Sequence, residues 1–204
     1  SNITGASFSN MFTGAAMSQG NYDKTLIGWA TLDTAAGETK IPSFLTLTTD
    51  ATYCLGETAR NTLITVPYNW NITDGGKDCS NVISWSGATN TTWNETTNWS
   101  GNTTPLTTND VLIPNVVNQP VIGSGVVAEM NNLTIETLAN FDISDGGSVL
   151  VNGDLQTDET INIGSSFATS GTLIVKGTAN GNVTYERTGL KANKWSIISV
   201  PVSG

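Results

Sequence analysis

From Val111 onward the chain carries short apolar runs at close spacing. They are Val111-Leu112-Ile113, Leu133-Thr134-Ile135, Phe141-Asp142-Ile143, Val149-Leu150-Val151, Asp154-Leu155, Ile161-Asn162-Ile163 and Leu173-Ile174-Val175. Several have the form apolar-polar-apolar, which puts both apolar ends on one face of a strand. The runs at 133, 141 and 149 start eight residues apart, and Gly, Asn, Asp and Ser fill the gaps. Two architectures produce this pattern. In a short β-solenoid each run is one face of a coil, and stacking buries the apolar positions. In a β-sandwich the runs are short strands joined by tight turns. The runs fall short of the usual strand length of about 5–6 residues, which favours the solenoid. Val183 to Arg187 reads as a further strand, and the alternating stretch over residues 194–200, with Trp195, as one more.

The first 80 residues read differently. Asn21 is placed to cap a helix from Tyr22 to about Ala30, with Tyr22, Leu26, Ile27 and Trp29 as its apolar stripe and Asp23 in its first turn. A second short helix is expected at Glu57 to Ile64. Phe44, Leu45 and Leu47 mark a strand, and Trp70 to Thr73 another, closed by the turn Asp74-Gly75-Gly76. Between these patterns, residues 81–110 carry Trp85, Trp93 and Trp99 among Ser, Thr, Asn and Gly, and read as a hairpin or an extended lead-in. The shift near Ser80 is the expected domain boundary, giving domains 1–80 and 81–204. The fold class is therefore mainly β, with a small α/β N-terminal part.

Composition narrows the function. Thr (32), Asn (22), Ser (18) and Gly (21) make up nearly half of the 204 residues, a β- and turn-rich mixture. Charged residues are 12% of the chain, against about 25% in an ordinary soluble domain. Eight basic residues against 17 acids give a net charge of −9. That argues against nucleic acid, which calls for clustered Lys and Arg, and against an acidic membrane surface. No apolar run approaches the ~20 residues that span a bilayer. With no histidine, there is no Ser-His-Asp triad and no His-ligated metal.

Cys54 and Cys79 are the only cysteines. In a secreted chain they would pair, closing a loop worth ~3.5 kcal/mol in the chain-entropy model; the other reading is two separate buried thiols. Asp142, Asp145, Asp154, Asp158 and Glu159 cluster in sequence, and Asp142-x-x-Asp145-Gly146-Gly147 has part of a calcium loop's spacing without its regular acidic series. No cofactor is expected, calcium being the weak alternative. Glycosidase chemistry needs two acids flanking a sugar, but nothing pairs any two acids here, Glu95, Glu129 and Glu136 included, and the chain reads as non-enzymatic. Trp85, Trp93 and Trp99 either stack on pyranose rings or seal the open end of the solenoid. Asn-x-Ser/Thr sequons at Asn2, Asn71, Asn90, Asn94, Asn98, Asn102, Asn132 and Asn182 are expected by chance in so Asn- and Thr-rich a chain.

Two blocks resemble known surface-protein modules. Asn10-Met11-Phe12-Thr13-Gly14-Ala15, followed by Asn21-Tyr22-Asp23-Lys24-Thr25-Leu26-Ile27-Gly28-Trp29, resembles the last repeat and C-terminal cap of the BspA-like leucine-rich repeat family of Bacteroidetes surface proteins. Tyr53-Cys54, Ala59 to Leu63 and Trp70 to Gly76 continue that likeness over about residues 1–80. The chain departs from the family in holding at most one repeat. Trp85-Ser86-Gly87, Trp93, Asn98-Trp99 and Asp110 to Pro114 resemble a linker module of large secreted proteins in the same bacteria. The resemblance implies a segment of a large extracellular adhesin exported by type IX secretion. Its partners would be other modules of the same polypeptide, the secretion machinery and surface glycans, without nucleic acid or membrane insertion. A carbohydrate-binding module and an export cargo held by that machinery are the alternatives. Asp33-Thr34-Ala35 resembles the O-glycosylation motif of such exported proteins, with Thr34 as acceptor.

Overall fold

The computed structural model describes residues 7–189, apart from 10 and 13. The strand expected over residues 194–200, with Trp195, lies outside the described residues, as do Asn2, Asn10 and Thr13. The chain divides into two compact units, Ser1–Asn81 and Val82–Gly204.

The first unit runs β1 (Ser7–Phe8), α1 (Gln19–Ala30), β2 (Thr46–Thr48), α2 (Glu57–Ile64) and β3 (Asn71–Thr73). The three strands form one parallel sheet in the order β1-β2-β3, with a helix in each crossover. Tyr22, Leu26, Leu45, Leu47, Leu63 and Trp70 make its core. α1 starts earlier than the pattern suggested. Ser18, not Asn21, is the N-cap, and its Oγ accepts from the Asn21 N–H at 3.3 Å. Asp23 therefore does not sit at its own helix's start. Its buried carboxylate instead accepts from the backbone N–H groups of Cys54 (2.9 Å), Leu55 (3.0 Å) and Gly56 (2.8 Å). Gly56 is the N-cap of α2 and has no side chain to offer; the Asp23 carboxylate from α1 instead holds the turn that leads into α2. Phe44 leaves the expected strand, because its φ of 60° turns the ring to solvent.

The second unit is a parallel β-solenoid. Its strands are β4 (Val82–Ser84), β5 (Asp110–Ile113), β6 (Val121–Ile122), β7 (Val127–Met130), β8 (Leu133–Ile135), β9 (Phe141–Ile143), β10 (Ser148–Val151), β11 (Leu155–Ser165), β12 (Thr172–Val175) and β13 (Ala179–Arg187). One face stacks β4, β5, β8 and the starts of β11 and β13. A second stacks β6, β9 and the rest of β11 and β13. A third stacks β7, β10 and β12. Every ladder between these strands is parallel, which excludes the antiparallel sheets of a sandwich. The eight-residue spacing of 133, 141 and 149 is the step from one face to the next within a single coil.

Register lines up the apolar positions. Val111, Leu133 and Leu155 form one inward column, Ile122, Ile143 and Ile163 another, and Met130, Val151 and Val175 a third. Fully burying each such aliphatic contributes roughly 1.5–3 kcal/mol. The corners are polar and also stack. Asn132 Nδ2 donates to Asp110 Oδ1 at 2.8 Å, the Asp154 N–H donates to Asn132 Oδ1 at 2.8 Å, and the Thr178 N–H donates to Asp154 Oδ1 at 2.7 Å. These steps of 22, 22 and 24 residues are the length of a coil. Residues 81–110 are not a hairpin. They form the first coil, with β4 in register and two 3-10 turns at Thr96–Asn98 and Ser100–Asn102.

Candidate functional site

The tryptophans fill the first coil. Ser84 pairs with Leu112, and the Trp85 N–H donates to Leu112 O at 2.9 Å, so Trp85 continues the inward column of Ile113 and Ile135. Thr92 bridges to Val121, which sets Trp93 over the Ile122 column. Trp99 meets Trp85 edge-on at 4.9 Å and Trp93 edge-on at 4.5 Å, and Trp93 meets Phe141 edge-on at 5.9 Å. Trp85 is 1% exposed, Trp93 3% and Trp99 2%. The stacking-platform reading of these three residues is therefore corrected. Their ring faces lie against each other and against the core, and a pyranose has no open indole face to cover.

A buried amide holds the arrangement. Asn98 is wholly enclosed. Its Oδ1 accepts from the N–H groups of Thr89 (2.9 Å) and Asn90 (3.1 Å), and its Nδ2 donates to Asn90 Oδ1 and Thr92 O, both at 3.0 Å. The indole N–H of Trp85 donates to Asn118 O at 2.7 Å, and that of Trp99 to Trp93 O at 2.8 Å. The Trp93 indole N–H has no partner among the described residues. No enclosed side-chain polar atom lacks a hydrogen bond there, so the Trp93 N–H reaches water.

That N–H belongs to a side chain lining a groove of about 600 Å³, bordered also by Asn94, Pro105, Leu106, Val127 and Glu129. The groove has a structural origin. The first coil has a strand on the first face and a bridge on the second, but none on the third. The loop over 104–108 borders the groove without pairing across it, and the outer edge of β7 has no strand partner among the described residues. Sequence reasoning singled out Trp93 and Glu129 separately and had no signal that joins them. A second concavity, about 630 Å³, lies in the first unit between Trp29, Leu32, Glu38, Lys40 and Trp70.

The disulfide joins Cys54 and Cys79, with Cα atoms 5.1 Å apart. Thr34 is exposed in a turn, where Asp33 Oδ1 accepts from the Ala36 N–H at 2.9 Å. The acids of the second unit do not converge. Asp142 Oδ1 accepts from Asn162 Nδ2 at 2.8 Å, Asp145 Oδ1 from Thr169 Oγ1 at 2.6 Å, and Glu159 Oε1 from the Leu138 N–H at 2.6 Å. Hydrogen bonds from Ser166 and Thr169 hold the Asp145 carboxyl below the usual range. No group of three His, Cys, Asp or Glu fit to hold a metal occurs among the described residues. No helix among them is long and apolar enough to cross a membrane.

Residues 84–204 match a family model described as Domain of unknown function (DUF8693). The chain belongs to this family. The match takes in the tryptophan-filled first coil, the groove and every later coil of the DUF8693 solenoid. No curated protein and no solved structure matches the chain.

Proposed function

We propose that this chain is a non-enzymatic structural segment of a large secreted cell-surface protein, in which the DUF8693 solenoid spaces and presents adhesive modules. The observation that carries the reading is the closed stack of inward columns. The first coil seals it with rings instead of leaving an open ligand cavity. Stacked parallel coils make a semi-rigid body in which each coil needs its neighbours. In the first unit, parallel strands with a helix in each crossover suit the cap of a leucine-rich repeat region, as the motif resemblance suggests. The disulfide suits an oxidising, extracellular setting, and the family resemblance supplies type IX secretion as the export route.

The test is made in the full-length protein on its host cell. Residues 82–189 are deleted in one strain and exchanged in another for an unrelated solenoid of equal length. Deletion should weaken adhesion and the exchange should restore it. Adhesion that stays lost after the exchange would assign a specific binding role to this unit and overturn the spacer reading.

A further inference from the structure

The groove beside β7 has the backbone chemistry of an unfilled strand position. The Ser148 N–H donates to Val126 O and the Asn152 N–H to Met130 O, both at 2.9 Å. Successive residues of a strand turn their peptide groups to opposite sides. Val126, Ala128 and Met130 therefore face β10, and the N–H and C=O groups of Val127 and Glu129 face the groove. Neither residue has a backbone partner on that side among the described residues. Val127 is 61% exposed.

Four side chains add selectivity. Leu106 and Val127 are exposed apolar walls. Trp93, nine-tenths buried and more, presents an unpartnered N–H. Glu129 is the one charged residue lining the groove and has no ion-pair or hydrogen-bond partner among the described residues. The net charge of −9 adds to its preference for a cation.

We infer that this groove binds an extended, basic polypeptide segment by β-augmentation. The segment supplies the third-face strand that the first coil lacks. Its backbone pairs with Val127 and Glu129, its apolar side chains rest on Leu106 and Val127, and a Lys or Arg meets Glu129. Main-chain bonds give affinity in this mode and alternate side-chain contacts give specificity. The inference stands apart from the spacer reading, since a spacer carries such a site or lacks it without change to its own role.

The probe is a capped heptapeptide alternating valine and lysine, with glutamate replacing lysine in its control. Both are titrated into the isotope-labelled 204-residue protein, with backbone amide shifts as the readout. The lysine peptide should shift the Val127 and Glu129 amides and bind at least about tenfold more tightly than the control, a difference of about 1.4 kcal/mol. Val127→Pro removes one groove-facing N–H at the first residue of an edge strand, where proline is tolerated, and should weaken binding by tenfold or more. Glu129→Lys keeps the backbone edge and should reverse the preference toward the glutamate peptide. Equal affinity for the two peptides, indifference to Val127→Pro, or no shift of these amides at millimolar peptide each overturns the inference. A glycan that shifts the same amides while the peptides do not overturns it too, and gives the groove to a sugar.

Discussion

Asn98 shows how much of the first coil rests on one side chain. It satisfies two N–H groups and two oxygens while wholly enclosed. Asn98→Ala leaves those groups unpaired and should cost about 2–4 kcal/mol, read as a lower urea midpoint followed by tryptophan fluorescence. In the sequence Asn98 is a sequon among other polar residues, and only the turn geometry over 89–98 encloses it. Tyr22 gives a pH signature. Burial, with the Asp74 carboxylate it donates to at 3.0 Å, pushes its hydroxyl well above the usual 10. A folded-state pKa above the unfolded one favours the fold below about pH 10, and that contribution is lost as pH rises further. Unfolding should therefore set in at alkaline pH, and Tyr22→Phe should flatten that dependence when stability is measured between pH 8 and 11.

Elements were legible where the pattern had length or strict alternation. α2 spans Glu57–Ile64 and β9 spans Phe141–Ile143 as read; in β9 the two apolar ends are both buried, and in α2 Leu63 is. β6 is only Val121–Ile122, and β7 reads Val-Ala-Glu-Met, without the β-branched alternation that marks a strand. Both are held by their neighbours in the stack, which a local window does not see. The groove was illegible for the same reason, since it is made by a strand that is missing. Gly87 ties the turn after β4 to the ring cluster. Its φ is +56°, and a Cβ there would overlap Asn118 O, the acceptor of the Trp85 indole N–H. Gly87→Ala should destabilise the solenoid by at least about 2 kcal/mol and shift the tryptophan emission, whereas Gly123→Ala, whose nearest neighbour would be 3.9 Å away, should do little.

The described residues form two cores, one in each unit, and the disulfide lies in the first unit. Replacing both Cys54 and Cys79 with alanine should lower the first unit's stability by about 3 kcal/mol and leave the solenoid's transition in place, seen by calorimetry as two peaks of which one moves. Run length favoured a solenoid over a sandwich, and the parallel ladders decided between them. The coil length was not legible, though the residues at 110, 132 and 154 carry it, because Asn and Asp at corners look like ordinary loop residues.

The corner ladder has a mechanical consequence. Each coil of 22 residues advances the stack by one inter-strand spacing, about 4.8 Å. The same 22 residues drawn straight reach about 70 Å. A coil peeled away under tension therefore releases about 65 Å of tether. The solenoid is a store of hidden length, and a molecule pulled at both ends should release it in steps of that size.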